Sequence, residues 1–390
     1  MTGIADTSAE NNINDAGARN TDAPPNLLSI SSSSVSRRTF HSGIILLLLA
    51  TALVSSTLLQ ETRVVERATS SPVFVLTPPP KRELPQIVWL ASFPNSGTSY
   101  TMTLVERASN LSTATNYGLE VTAPGDTSLP LHQNHSEGPY WEGLSGKLGT
   151  IRQLPDAFVL TKTHCGSRCV HCGPDQYIEN TLNFVAACVK TSALSRSGRR
   201  LEFHYQPQRV ARVVHLIRNP FHNIVARFHL ERRHMVAKRP SVADRIPNNA
   251  TGFIRWCRDL DDMHVEAEDE IFGHDLAFLT LMRKVPCRGE FYKYAQWHER
   301  VLDMIPLLGD GVVPVLTVHY EDYAYKFNQT LERLLNFVEQ TAVGTLRPFR
   351  DLPTYEDHYS TAEQQSIKEL LKLVSTPRVW ALIQHYFEKL

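Results

Sequence analysis

Apolar residues in this chain fall into two patterns. Short continuous runs, rich in β-branched and aromatic residues, occur at Ile87-Val88-Trp89-Leu90, Ala157–Thr161, Val210–Ile217 and Val312–Val318. They predict strands, although Pro314 weakens the start of the last. Elsewhere apolar positions recur every three or four residues. Tyr100, Leu104 and Ala108 share a helical face, with Met102 and Val105 beside them. Phe221, Ile224, Val225 and Phe228 form another behind Pro220, which suits a first helical turn. Leu331, Leu334, Leu335 and Val338 make a third. Ser360-Thr361-Ala362-Glu363 reads as a capping box ahead of Ile367, Leu370, Leu371 and Val374. A last helix starts near Thr376-Pro377 and uses Val379, Leu382, Ile383 and Phe387. Strands alternating with helices imply an α/β fold, a mostly parallel central sheet flanked by helices on both faces. Residues 85–390 are ample for one such domain, with two as the alternative.

The preceding residues read differently. Residues 1–42 are polar, without period, and predict a disordered cytoplasmic tail. Gly43–Leu59 carries no charge and predicts a transmembrane signal anchor at the short end of what spans a bilayer. Residues 60–84, with Thr77-Pro78-Pro79-Pro80, read as a stem. All six cysteines lie after the apolar stretch. So do the Asn-x-Ser/Thr acceptors Asn110, Asn134, Asn249 and Asn328. Together these features give the expectation of a single-pass type II protein of the Golgi membrane, a glycoprotein with its C-terminal domain in the lumen. Formal net charge is zero, so there is no global attraction to nucleic acid.

Three segments end strand-like runs with candidate chemistry. The first is Phe93-Pro94-Asn95-Ser96-Gly97-Thr98-Ser99-Tyr100, a tight loop opening a helix. Strand, loop and helix N-terminus present N–H groups and a positive dipole end to a phosphate. Gly97 permits close approach, and Ser96, Thr98 and Ser99 add hydroxyls. The ATP-binding version of this loop needs Gly-Lys-Ser/Thr, absent here. The second segment ends in Lys162-Thr163-His164, and the third in Arg218-Asn219-Pro220. In a parallel sheet all three open onto one edge. Donors for an anion, a cation for a leaving oxygen and a histidine base suit transfer of an anionic group to a hydroxyl. His215 alternates within its strand and reads as structural.

These residues resemble the P-loop-fold sulfotransferases, which use 3′-phosphoadenosine 5′-phosphosulfate (PAPS). Pro94-Asn95-Ser96-Gly97-Thr98-Ser99-Tyr100 is similar to the family's Pro-Lys-Ser-Gly-Thr-Thr-Trp loop. Lys162-Thr163-His164 resembles its Lys-Thr-His stretch, Arg218-Asn219-Pro220 its 3′-phosphate segment, and Val315–Asp322, with Tyr320-Glu321-Asp322, a later strand. The resemblance implies a P-loop nucleoside-triphosphate-hydrolase-like fold and a membrane-anchored Golgi-type member. It further implies direct in-line transfer, with Asn95, Ser96, Gly97, Thr98, Ser99 and Arg218 binding PAPS. His164 would act as base and Lys162 would stabilise the bridging oxygen, with no metal. Two departures stand out. Asn95 replaces a lysine common in the family, and Ala226 replaces a phosphate-binding serine. No Arg-Lys-Gly loop is found near the C-terminus; Arg347 and Arg350 are poor substitutes. Arg227, Arg232 and Arg233 are candidates to compensate.

Cys165, Cys169 and Cys172, with His164 and His171, have part of a zinc-knuckle spacing, but no second pair follows. Disulfides are the expectation, in any of 15 connectivities for three bridges. The run Arg227–Arg239 reads as either a solvated helix face or a cationic rim for an anionic or polysaccharide acceptor. The expected activity is sulfuryl transfer from PAPS to a hydroxyl, on a carbohydrate or another acceptor. The carbohydrate class follows from compartment alone. The rivals are a nucleotide-dependent kinase and a catalytically inactive, membrane-tethered glycan- or nucleotide-binding protein.

Overall fold

A computed structural model describes residues 86–117, 129–132, 140–141, 155–166, 169–177, 180–194, 200–344, 346 and 355–388. The chain enters through β1 (Gln86–Ser92), and the loop 93–97 leads into helix α1 (Thr98–Ser109). Strands β2 (Ala114–Thr115), β3 (Leu129–His132), β4 (Tyr140–Trp141) and β5 (Phe158–Thr163) follow, then helix α2 (Thr181–Cys188). An antiparallel ribbon, β6 (Lys190–Leu194) with β7 (Arg200–His204), stands apart from the main sheet. Next come β8 (Val210–Ile217), α3 (Pro220–Lys238), α4 (Ala250–Met263), α5 (Arg288–Met304), β9 (Val315–His319), α6 (Phe327–Phe337) and α7 (Thr361–Val374).

The seven-stranded sheet has the order β4-β3-β2-β5-β1-β8-β9. All its pairings are parallel except that between β3 and β4. The expected α/β architecture, a mostly parallel central sheet flanked by helices, is therefore present. β1 sits in the middle, so both its faces are covered and its apolar run is continuous rather than alternating. The pleat still sorts its side chains. Ile87, Trp89 and Ala91 join the core beneath α3, α4 and α5. Val88 and Leu90 join the core beneath α1 and α6. β8 divides likewise, Val213 and Ile217 to the first core and Val214 and Leu216 to the second.

Register levels the strands at the edge that carries the candidate residues. Ala91 pairs with Thr163 on one side, Ser92 with Leu216 on the other, and Ile217 with His319. The carboxyl ends of β5, β1, β8 and β9 are thus level. At about 4.8 Å per strand, the residues after β5 and β8 lie about 10 Å apart across the end of β1. The strands expected at Ala157–Thr161 and Val312–Val318 are displaced toward this edge, to Phe158–Thr163 and Val315–His319. For the last strand, Pro314 stands just outside the ladder.

No helix among the described residues is long and apolar enough to cross a membrane. That finding corrects the expectation of a membrane-anchored, type II protein of the Golgi. Residues 43–59, on which the expectation rested, lie outside the described residues, as do the tail 1–42 and the stem 60–84. The zinc reading of the cysteines is also replaced. Cys165 bonds to Cys188, Cys169 to Cys172, and Cys257 to Cys287. The capping box at Ser360 and Glu363 forms with both reciprocal bonds.

Candidate functional site

The loop after β1 is fixed from below. Phe93 is buried between the ring edges of Tyr294 and Trp297, with the Arg227 guanidinium 4.8 Å from its ring centroid. Two side chains that follow β8 then take the loop's acceptors. Asn223 Nδ2 donates to the Pro94 carbonyl at 3.0 Å and to Ser96 Oγ at 3.0 Å. Arg218 Nη1 donates to the Asn95 carbonyl at 2.7 Å. Asn95 and Gly97 both adopt positive φ, 66° and 94°, which bends the chain sharply into α1. The first-turn N–H groups of a helix have no intrahelical acceptor, and Gly97 brings no side chain to cap those of α1. It is at these groups that the sequence reading expects an anion.

The hydroxyls are arranged differently from expectation. Ser96 is fully buried, and its hydroxyl is engaged by Asn223. Thr98 Oγ1 lies 2.5 Å from Ser92 Oγ, inside the fold. Ser99 alone of the three is exposed. Ser96 and Thr98 therefore brace the cradle, while Ser99 presents its hydroxyl outward. Asn95 Nδ2 lies 3.5 Å from the Ala226 carbonyl, too long for a strong hydrogen bond.

His164 follows β5 directly and is 5% exposed. Its Nδ1 is 2.8 Å from the Ser92 carbonyl and 3.2 Å from Ser92 Oγ. A carbonyl oxygen only accepts, so Nδ1 carries a proton, and in the neutral ring Nε2 is then the basic nitrogen. The backbone is held as firmly. His164 N donates to Tyr117 Oη at 2.8 Å, Trp297 Nε1 donates to His164 O at 3.1 Å, and the next residue is the bridged Cys165. Lys162 is half-buried on the same side of β5, its Nζ 6.0 Å from the Tyr117 ring centroid.

Arg218 is 8% exposed. Its guanidinium lies 4.8 Å over the Tyr320 ring, Tyr294 Oη donates to its carbonyl at 2.7 Å, and its buried Nε has no acceptor among the described residues. The turn after it is braced by Glu321, which accepts from Asn219 N at 2.9 Å and from Tyr386 Oη at 2.7 Å. Burial raises the Tyr320 phenol above its ordinary value, so it stays protonated.

The fold thus brings Asn95, Ser96, Gly97, Thr98, Ser99, Lys162, His164 and Arg218 to one sheet edge. No protein-family model matches this chain, and no curated protein matches it significantly. The chemistry of the site therefore rests on its own geometry. The cationic run on α3 does not survive as a continuous rim. Arg227 is buried against Glu290, and Arg232 Nε donates to the Ile246 carbonyl at 2.7 Å. Glu290 also pairs with Lys293. Burial works against its charge, but these two cations outweigh burial and hold the carboxyl below its usual range. Arg227 is thus unavailable to replace the missing serine at Ala226; Arg347 and Arg350 lie outside the described residues. Sequence reasoning missed Ser92, Asn223 and Tyr117. Only Ser92 carried a local signal, its place as the last residue of β1.

Proposed function

We propose that this protein transfers a sulfuryl group from PAPS to an acceptor hydroxyl on a P-loop-like scaffold. The observation that carries the proposal is a histidine with Nδ1–H fixed on the Ser92 carbonyl, beside an uncapped helix start and two cations. The α1 N–H groups with Ser99 suit the 5′-phosphosulfate. Arg218 tightens that loop through Asn95 and offers its remaining donors to the 3′-phosphate. PAPS supplies the sulfuryl group and leaves as 3′-phosphoadenosine 5′-phosphate. His164 Nε2 accepts the acceptor's proton as the hydroxyl oxygen bonds to sulfur, and Lys162 stabilises charge growing on the oxygen whose bond to sulfur breaks. The carbohydrate character of the acceptor rested on the Golgi compartment, so the proposal is confined to a hydroxyl acceptor.

The test is calorimetric titration of the protein with 3′-phosphoadenosine 5′-phosphate, beside Arg218→Ala, followed by sulfuryl transfer from PAPS to a panel of hydroxyl acceptors. Wild type binds at micromolar level and Arg218→Ala weakens binding by about tenfold or more, as expected for a lost charge-assisted contact. His164→Ala keeps binding and loses transfer by on the order of 10²–10⁴-fold. A folded protein that binds no nucleotide refutes the proposal. Binding with no transfer to any acceptor favours the non-catalytic binding protein.

A further inference from the structure

We infer that Tyr117 is a positioning residue that holds the His164 imidazole in its proton-accepting orientation. The inference rests on the sulfuryl-transfer reading for its kinetic consequence, but not for its structural content. Tyr117 lies just beyond the short strand β2, which pairs with β5 at Thr115 and Lys162. Asn116 extends that pairing by donating its N–H to the Lys162 carbonyl at 3.1 Å. The Asn116 side chain is buried and anchored, Nδ2 donating to the Cys188 carbonyl at 2.6 Å and to Tyr205 Oη at 3.2 Å. Tyr117 N then donates to Thr115 Oγ1 at 3.0 Å, which turns the chain over the end of β5.

The result is a double hold on one histidine. Tyr117 Oη accepts the His164 backbone N–H at 2.8 Å. The phenol ring stacks on the imidazole, centroids 5.7 Å apart and planes 22° from parallel. The same ring faces Lys162 Nζ at 6.0 Å. An imidazole rotates about its terminal torsion over a broad, two-fold well. A half-turn would put Cδ2 where Nδ1 stands, move Nε2 to the place of Cε1 and break the Nδ1–H bond to Ser92. A flat ring against its face opposes that rotation, and the Ser92 carbonyl selects which nitrogen faces inward. Tyr117 touches neither donor nor acceptor in this role; it acts through His164.

Two variants separate ring from hydroxyl. Tyr117→Phe keeps the stack, and Tyr117→Leu removes it; Tyr117 is half-buried, so neither opens the core. Nitrogen NMR of the His164 ring reads the tautomer directly and needs no turnover. Wild type and Tyr117→Phe are expected to show the neutral ring protonated at Nδ1, and Tyr117→Leu a mixture of both tautomers. With PAPS and an active acceptor, Tyr117→Leu should lower kcat by on the order of 10–100-fold, the scale of a displaced reacting group, with nucleotide affinity and KM unchanged within about twofold. Tyr117→Phe should restore kcat to within about threefold of wild type. A single Nδ1–H tautomer in Tyr117→Leu overturns the inference. A wild type that binds no nucleotide overturns the proposed function instead, and the tautomer spectra still decide the role of the ring.

Discussion

Replacing Gly97 by alanine tests the cradle at its tightest point. Gly97 has φ 94°, and a Cβ there would lie 2.1 Å from Tyr320 Cδ2 and 2.2 Å from Cε2. Two costs follow. An L-residue in the left-handed region is strained by roughly 1–2 kcal/mol. The Tyr320 ring must also swing away, giving up its cation–π contact with Arg218 and its edge contacts with Tyr100 and Tyr323. Those contacts are worth about 0.5–1.5 kcal/mol each. The expected loss is therefore about 2.5–6.5 kcal/mol in urea unfolding followed by circular dichroism, accompanied by weaker binding of 3′-phosphoadenosine 5′-phosphate. The double variant with Tyr320→Ala separates the two costs. It should relieve the clash but not the backbone strain, giving a coupling of at least about 1 kcal/mol. A loss below about 0.5 kcal/mol for Gly97→Ala, or no coupling, would refute the packing of Tyr320 on the loop.

Other expectations concern the scaffold. His215 Nε2 and His298 Nδ1 meet at 2.7 Å in the core, and burial lowers both rings, His215 to about 3. The unfolded chain then takes up a proton first, so stability is fully present above about pH 6.5 and drains as pH falls toward 3; His215→Leu should shrink the loss in unfolding free energy between pH 7 and pH 5 by about 2 kcal/mol, and an unchanged slope would contradict the buried neutral pair. The Cys257–Cys287 bridge closes a separation of 30 residues between α4 and the start of α5, so replacing both by alanine should cost about 3–4 kcal/mol in chemical unfolding. Arg227→Ala leaves Glu290 buried with Lys293 alone and should cost about 3–5 kcal/mol, measured the same way; a neutral effect would mean that the ion pair is not formed.

The pattern of apolar residues located most of the framework because that pattern is set locally. A strand covered on both faces reads as a continuous run, and β1 is such a run. Helical spacing likewise found α1, α3, α6 and α7, and the reciprocal cap at Ser360 formed as its spacing implied. The three segments ending in Gly97, His164 and Arg218 were visible because a parallel sheet delivers the carboxyl ends of its strands to one edge.

Which atoms of those segments face outward was decided only by tertiary structure. The serine and threonine of the loop look alike in sequence. Yet Ser96 is engaged by Asn223, 127 residues away, and Thr98 by Ser92, while Ser99 remains exposed. Arg227 stands in a basic run, yet a carboxylate on another helix, 63 residues on, draws it into the core. Cysteine spacing left many pairings open; packing of α2 and of α4 against α5 selected Cys165–Cys188 and Cys257–Cys287, while Cys169 and Cys172 pair locally. The sequence determined β1, β5, β8, β9, α1, α3, α6 and α7, because periodicity depends on neighbours along the chain, while α2, α4, α5, β2–β4 and the β6–β7 ribbon were not read from it. The orientation of Asn223, Tyr117 and Arg227 depends on partners across the sheet edge and between helices, and only the folded chain brings those partners within hydrogen-bonding distance.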